Sequence, residues 1–425
     1  MNRERTYLLK RYESIRGQTE ALAAPLSPED QQVQSMPDTS PTKWHLAHVT
    51  WFFETFLLDK FQKNYKPFNP RYNFLFNSYY EAIGPRHIRA ERGLLTRPRL
   101  DEVMSYRVHV DRNIMDFVEN ADEKTYADAA PFIELGLQHE QQHQELALMD
   151  IKHVFSCNPL VPKYKETDTS DVKGLHSPCW YDVPGGTFLV GHDGNGFAFD
   201  NEGPAHDTIV RDYSIASHPV TNGEYIAFIE DGGYSDARFW HSDGWAMVLS
   251  QHWIAPLYWR RTNDGAWEEY TLSGVRPLFM DAPVCHVSFY EASAYAAWAG
   301  KRLPTEYEWE IAANYYNCAS AVEAIHNSPE SGRLRPTAQY AAPNNGPSQM
   351  MEDVWEWTQS AYGPYPGFVA APGAVGEYNG KFMVNQITLR GASYATPSGH
   401  SRLTYRNFFY PHQRWAFSGF RLADS

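Results

Sequence analysis

Cysteine is scarce. The 425-residue chain holds four, Cys157, Cys179, Cys285 and Cys318, and no two share a paired spacing. That excludes a disulfide framework and a cysteine-rich zinc site, and it fits free thiols in a reducing cytoplasm. Long apolar runs are missing too, since none approaches the roughly 20 residues that a membrane-spanning helix needs. The opening residues Met1-Asn2-Arg3-Glu4-Arg5 are charged and precede no apolar stretch, so no secretory leader is expected. An excess of positive charge is absent. The formal net charge of −14 argues against nucleic acid or an anionic membrane as the main partner. Neither an internal repeat nor a low-complexity tract occurs. Aromatic residues, by contrast, make up 15% of the chain, too many for a disordered segment, and the length allows two or three domains.

Four long segments with helical periodicity fall near residues 4–24, 41–63, 98–120 and 127–155. They predict a helical bundle, whose interior is a usual place for a metal. Ser40 suits an N-cap, with Pro41 at the first helical position. An irregular aromatic stretch, 61–98, separates the second segment from the third. A polar linker is expected over 166–180. Beyond it, Gly, Pro, Trp and Tyr crowd the chain, and short strands alternate with turns. Pro184 to Gly191 reads as a strand closed by turn residues, and helices are predicted over 288–299 and 306–314. The fold class is therefore multidomain, α and α+β, with a bundle over 1–165 and a mixed domain over 181–425.

The densest chemical signal is Gln138-His139-Glu140-Gln141-Gln142-His143-Gln144-Glu145. Histidines four apart on a helix lie one turn apart on one face. Neutral imidazoles so placed can share a divalent transition metal. The stripe through Phe132, Leu135, His139, Gln142, His143, Leu146 and Met149 is apolar at both ends and polar in the middle. A buried polar patch of that kind needs partners, and a metal supplies them. Two histidines hydrogen-bonded in the core are the bland alternative. His139-Glu140-Gln141-Gln142-His143 also matches the zinc-protease pattern, but no third downstream ligand extends it. The third ligand is expected upstream, in Trp44-His45-Leu46-Ala47-His48. Both histidines could point inward; His48 is preferred because His45 lies nearer the helix start.

Several further segments together resemble the formylglycine-generating-enzyme, or sulfatase-modifying-factor, domain. They are Val183-Pro184-Gly185-Gly186-Thr187-Phe188, Pro219-Val220-Thr221-Asn222-Gly223-Glu224-Tyr225, Arg302-Leu303-Pro304-Thr305-Glu306, Asp353-Val354-Trp355-Glu356-Trp357, Leu389-Arg390-Gly391-Ala392-Ser393 and Gly419-Phe420-Arg421-Leu422. The resemblance implies a C-type-lectin-like α+β fold. Formylglycine generators carry two active-site cysteines in the last stretch, and residues 393–421 contain none, which excludes that chemistry. The N-terminal bundle resembles the DinB type. The two domains in this order resemble the ergothioneine-biosynthesis sulfoxide synthases from end to end. That resemblance implies a mononuclear non-haem Fe(II) enzyme that uses O2 to join a thiol to C2 of the imidazole of hercynine. It implies His48, His139 and His143 as the iron ligands.

The same resemblance gives roles to other residues. Gln142 would hydrogen-bond the substrate imidazole. Tyr79 or Tyr80 would donate a proton near the metal, since a phenol with a pKa near 10 stays protonated at neutral pH. One branch of the family keeps its catalytic tyrosine in the second domain, and no equivalent is evident among residues 363–380. Asn407 would contact the betaine end of hercynine, with Phe408 beside its trimethylammonium group. Arg86 and Arg89 would hold a substrate carboxylate. Phe409 stands where the branch that uses γ-glutamylcysteine has an aspartate, so cysteine is the expected thiol. Glu140 and Glu145 are expected to be structural. A selenium-handling homologue, an ovothiol-type synthase, a zinc-dependent DinB thiol transferase and a silent binding protein are the competing readings.

Overall fold

In the computed structural model, residues 3–166, 178–318, 333–338 and 346–425 are described. They divide into two compact units, one of residues 1–165 with 372–378 and one of residues 166–371 with 379–425. Most of the expected linker, residues 167–177, lies outside the described residues.

The first unit is built on four long helices, α1 (Arg3–Ala23), α2 (Thr42–Phe53), α3 (Leu100–Asn120) and α4 (Glu123–Ser156). Helix α4 starts where the Asp122 carboxylate accepts the Thr125 N–H, satisfying a donor that the first turn leaves unpaired. Helix α2 starts without such help. The Ser40 hydroxyl does not cap it, contrary to the sequence expectation, because it accepts from Arg92 while the Ser40 N–H donates to Asp150. After Phe53 the helix widens into a π turn, Glu54–Leu58. There the buried Glu54 carboxylate accepts from the Tyr65 and Tyr106 hydroxyls and the Phe68 N–H, at 2.7, 2.6 and 3.0 Å.

Trp51, Phe52, Phe53, Val103, Val110, Ile114, Ile133 and Leu137 fill the bundle core. Helices α2 and α4 meet closely at Gly136, where a Cβ would lie 2.5 Å from the Phe53 ring. That approach brings the next turn of α4, with His139 and His143, against α2. Ala374, Val375 and Tyr378 also pack on this core. Their segment is tied down by Glu377, whose two carboxylate oxygens accept the Glu81 and Ala82 N–H groups at 3.0 Å each.

The second unit carries small sheets and short helices. Strand β1 (Trp180–Val183) pairs with β4 (Tyr213–Ala216), and β2 (Gly186–Val190) with β3 (His206–Val210). Three strands, β5 (Trp259–Arg261), β6 (Trp267–Thr271) and β7 (Gly274–Pro277), form a meander. The four-stranded sheet runs in the order β10 (Asn407–Phe409), β9 (Ile387–Gly391), β8 (Trp355–Ala361), β11 (Ser418–Gly419), and β12 (Ala423–Asp424) adds to β4. Helices α5 (Asn222–Glu230), α7 (Phe289–Trp298) and α8 (Glu306–Tyr315) each start with a capping box, Thr221/Glu224, Ser288/Glu291 and Thr305/Glu308. Helix α6 (Ser242–Gln251) lies between the first two. The family-like motifs serve the core here. Arg421 and the Trp309 indole both bind the buried Glu356 carboxylate, at 2.6 and 2.8 Å, and Arg406 binds Glu306 at 2.7 Å.

Among the described residues, no helix is long and apolar enough to cross a membrane.

Candidate metal centre

Helical spacing sets the site. His45 and His48 lie three apart on α2, and His139 and His143 lie four apart on α4, so each helix turns two imidazoles toward the other. The ligand atoms of His48, His139 and His143 all lie within 4.8 Å of one another. His48 is held rigidly, because its ring stacks on Trp44 at 4.5 Å and lies nearly parallel to Trp51 at 5.5 Å. Its Nδ1 donates to the Phe76 carbonyl at 2.5 Å. A carbonyl can only accept, so Nε2 keeps its lone pair. That Nε2 lies 3.2 Å from His139 Nε2, and the His139 ring packs on Phe52 at 4.5 Å. The His139 Nδ1 is buried and has no hydrogen-bond partner among the described residues.

This donor set fits a divalent transition metal. Metal–nitrogen bonds of about 2.0–2.1 Å put neighbouring donors about 2.8–3.4 Å apart, from right-angled to tetrahedral geometry. The two Nε2 atoms fall in that range. Burial, then the neighbouring histidines, holds the imidazoles neutral. His139 is pushed down to about 3, and His48 and His143 well below the usual histidine value. Neutral lone pairs converging in a buried space are what a cation requires.

His45 is not in this triad. It stands behind His143, with its Nδ1 2.8 Å from His143 Nδ1 and its Nε2 3.0 Å from Asp150 Oδ2. Glu140 turns away from the triad. Wholly buried, it binds Arg16 at 2.9 Å and Arg107 at 3.3 Å, an ion-pair role rather than that of a base. Gln142 is half-buried beside His143, and Glu145 is buried.

Tyr80 is buried among Trp51, Phe52 and Phe56, two of which also pack on His48 or His139. Tyr79 accepts from Arg89 at 3.0 Å and packs on Tyr378 at 5.8 Å. Tyr378 was missed in the sequence. It lies within residues 363–380, where the sequence shows no evident equivalent of the second-domain tyrosine, since no local pattern ties a residue so far along the chain to the bundle. Burial raises its phenol above the ordinary range. Arg86 pairs with Glu81 at 3.0 Å, and Arg89 also donates to the Asp38 carbonyl. Arg92, likewise missed, stacks over Trp44 at 3.4 Å and donates to Ser40 and Ser78. Among the described residues no carboxylate pairs with it, and burial pushes it down to about 9.

Asn407, Phe408 and Phe409 belong to the second unit, on β10. Phe408 stacks on Tyr362 at 4.2 Å and lies nearly parallel to Phe382 at 5.6 Å. Phe409 packs edge-on against Trp415 at 5.8 Å.

Comparison with known proteins agrees with the two units. Residues 11–147 match the DinB superfamily, and residues 176–425 match the sulfatase-modifying factor enzyme 1-like domain. The chain is 33% identical over 426 residues to a hercynine oxygenase of Mycolicibacterium smegmatis, covering 92% of each protein. It is 33% identical over 411 residues to a hercynine oxygenase of Mycobacterium tuberculosis, covering 91% of each. Similarity to a formylglycine-generating enzyme of Thermomonospora curvata is partial, 31% over 215 residues and 41% of this chain.

Proposed function

The chain belongs to the hercynine oxygenase family, and from that premise we propose that it is an Fe(II)- and O2-dependent sulfoxide synthase. It would join the sulfur of cysteine to C2 of the hercynine imidazole. The overall change balances as thiol plus imidazole C–H plus O2 giving the sulfoxide-bridged product plus water. The convergence of buried His48 and His139 with half-buried His143, in a chain similar to hercynine oxygenases over nearly its whole length, carries this reading.

Fe(II), held by those three histidines, would supply electrons to O2 and a position that favours the deprotonated thiol. Three neutral protein ligands would leave room at the metal for substrates. Gln142 would hydrogen-bond the hercynine imidazole, and Asn407 its carboxylate end. The Tyr362, Phe382 and Phe408 rings form an aromatic group suited to a trimethylammonium. Arg86 and Arg89 would meet the thiol substrate's carboxylate. Tyr79 or Tyr80 would hold the proton needed near the metal, and the packing of Tyr378 on Tyr79 adds a third candidate.

The test is anaerobic loading with Fe(II), followed by oxygen uptake and mass spectrometry with hercynine and cysteine. Uptake matched by sulfoxide product is the expected result. Thiol transfer without oxygen uptake by a zinc-loaded protein would replace this reading with that of a DinB thiol transferase.

A further inference from the structure

His45 and Asp150 lie outside the metal triad, yet both are buried and joined to it in a chain of contacts: Asp150 Oδ2 to His45 Nε2 at 3.0 Å, then His45 Nδ1 to His143 Nδ1 at 2.8 Å. With one proton on each ring, the protons in this chain have one consistent arrangement. A carboxylate only accepts, so the proton on that side sits on His45 Nε2. A neutral His45 then offers a lone pair at Nδ1. The contact to His143 needs one proton between two nitrogens, and it comes from His143. With its proton on Nδ1, His143 presents the lone pair of Nε2. His48 reaches the same tautomer by donating from Nδ1 to the Phe76 carbonyl. The outer end is fixed as well, because Asp150 Oδ2 also accepts the Ser40 N–H at 2.8 Å, just before α2 begins.

We propose that Asp150 and His45 form a relay that positions His143 for the metal, fixing its tautomer and ring orientation so that Nε2 is the ligating atom. His45 is thus a positioning residue. The inference rests on the three-histidine reading above and adds an outer partner to it. An imidazole as acceptor behind a metal-binding imidazole, with a carboxylate behind both, makes the inner ring a stronger donor, and loss of such outer partners typically costs 10–100-fold in metal affinity.

The test uses the full-length, metal-free protein and Co(II), with affinity from competition against a chelator and geometry from the visible absorption of the bound ion. Three variants are compared. His45→Phe keeps the ring but removes the acceptor. His45→Asn returns an oxygen near the Nδ1 position. Asp150→Asn keeps an oxygen for both His45 and Ser40. His45→Phe is expected to bind Co(II) about 10–100-fold more weakly with an altered spectrum. His45→Asn should recover part of the affinity, and Asp150→Asn, which keeps the acceptor oxygen but loses the charge, should fall between the wild type and His45→Phe. Far-UV circular dichroism and thermal unfolding of the metal-free forms separate this from loss of fold, which the near-isosteric asparagine variant avoids. Wild-type affinity and spectrum in His45→Phe would overturn the relay while leaving the triad intact. Complete loss of binding in His45→Phe, with binding kept in His48→Ala, would make His45 a ligand and overturn it too. A wild-type protein that binds no Co(II) would instead sink the three-histidine reading itself.

Discussion

At the residue scale, the metal cluster makes the sharpest claims. Alanine at His48, His139 or His143 should each remove most of the bound iron after anaerobic reconstitution, measured as metal per chain; full occupancy in His48→Ala would remove it from the ligand set. Phenylalanine at Tyr79, Tyr80 or Tyr378 separates the proton donors. At the working position, iron stays bound while turnover shifts from carbon–sulfur bond formation to plain thiol oxidation, read as the ratio of sulfoxide to disulfide. An unchanged ratio in all three variants would exclude tyrosine as the donor. On the proposed function, Phe409 would bear on the choice of thiol. A γ-glutamyl ammonium buried against a phenyl ring without a partner costs on the order of several kcal/mol. About 1.4 kcal/mol is a factor of ten, so kcat/KM for cysteine should exceed that for γ-glutamylcysteine by a hundredfold or more; a ratio below one would overturn the assignment. The histidine pair could be read from the sequence because its spacing equals a helical turn. The place of His48 farther into the helix favours it over His45, but the placing of His45 behind His143 was not legible, because residues three apart share a face and only the opposing α4 side chains show which imidazole each one meets.

At the element scale, helix α4 is anchored by charge as well as by apolar packing. Glu140 sits between the Arg16 and Arg107 guanidinium groups, all three buried. Glu140→Leu takes one carboxylate from each buried guanidinium, leaving Arg107 with Glu20 alone and Arg16 with Asp111 alone, at a cost of up to about 3–5 kcal/mol. Urea denaturation should show that loss, while turnover per bound iron stays near the wild type; a wild-type midpoint would mean the ion pairs contribute little. The same helix makes the metal-free protein sensitive to acid. Histidine near 6.5 in the unfolded chain and His139 near 3 in the folded one mean that the unfolded state takes up protons first. The stabilisation is complete above about pH 6.5 and is lost as the pH falls toward 3. His139→Phe should flatten the fall in unfolding free energy between pH 7 and pH 4 by about 3 kcal/mol; parallel curves would contradict this. The four long helices were legible because an apolar pattern at a period of 3.6 survives over three turns or more in each. Helices α5 and α6 were not, since a glycine in the first turn of each, Gly223 and Gly244, reads as a turn. The π turn after Phe53 leaves no sequence signature either, as its carboxylate is satisfied by hydroxyls distant in sequence.

At the scale of the whole molecule, the two sequence-matched regions are each contiguous, but the folded units are not. Residues 372–378 lie inside the span matched to the second domain and complete the core of the first unit. A fragment of residues 1–165 should therefore bind more of a hydrophobic dye and unfold at lower denaturant than the same unit in the full chain, and a peptide of residues 370–380 added in trans should reverse part of this. A fragment as stable as the intact unit would show that the segment adds no stability. Such a return of the chain was not legible, because it depends on a contact made some two hundred residues later. It also has a consequence for biosynthesis. A ribosome adds roughly 5–20 residues per second, so residue 378 emerges about 10–40 s after the bundle's own helices. During that interval Tyr79 lacks its neighbour Tyr378, and the loop at Glu81 and Ala82 lacks the carboxylate that ties it down. The nascent bundle thus waits for the last piece of its core until most of the chain has been translated.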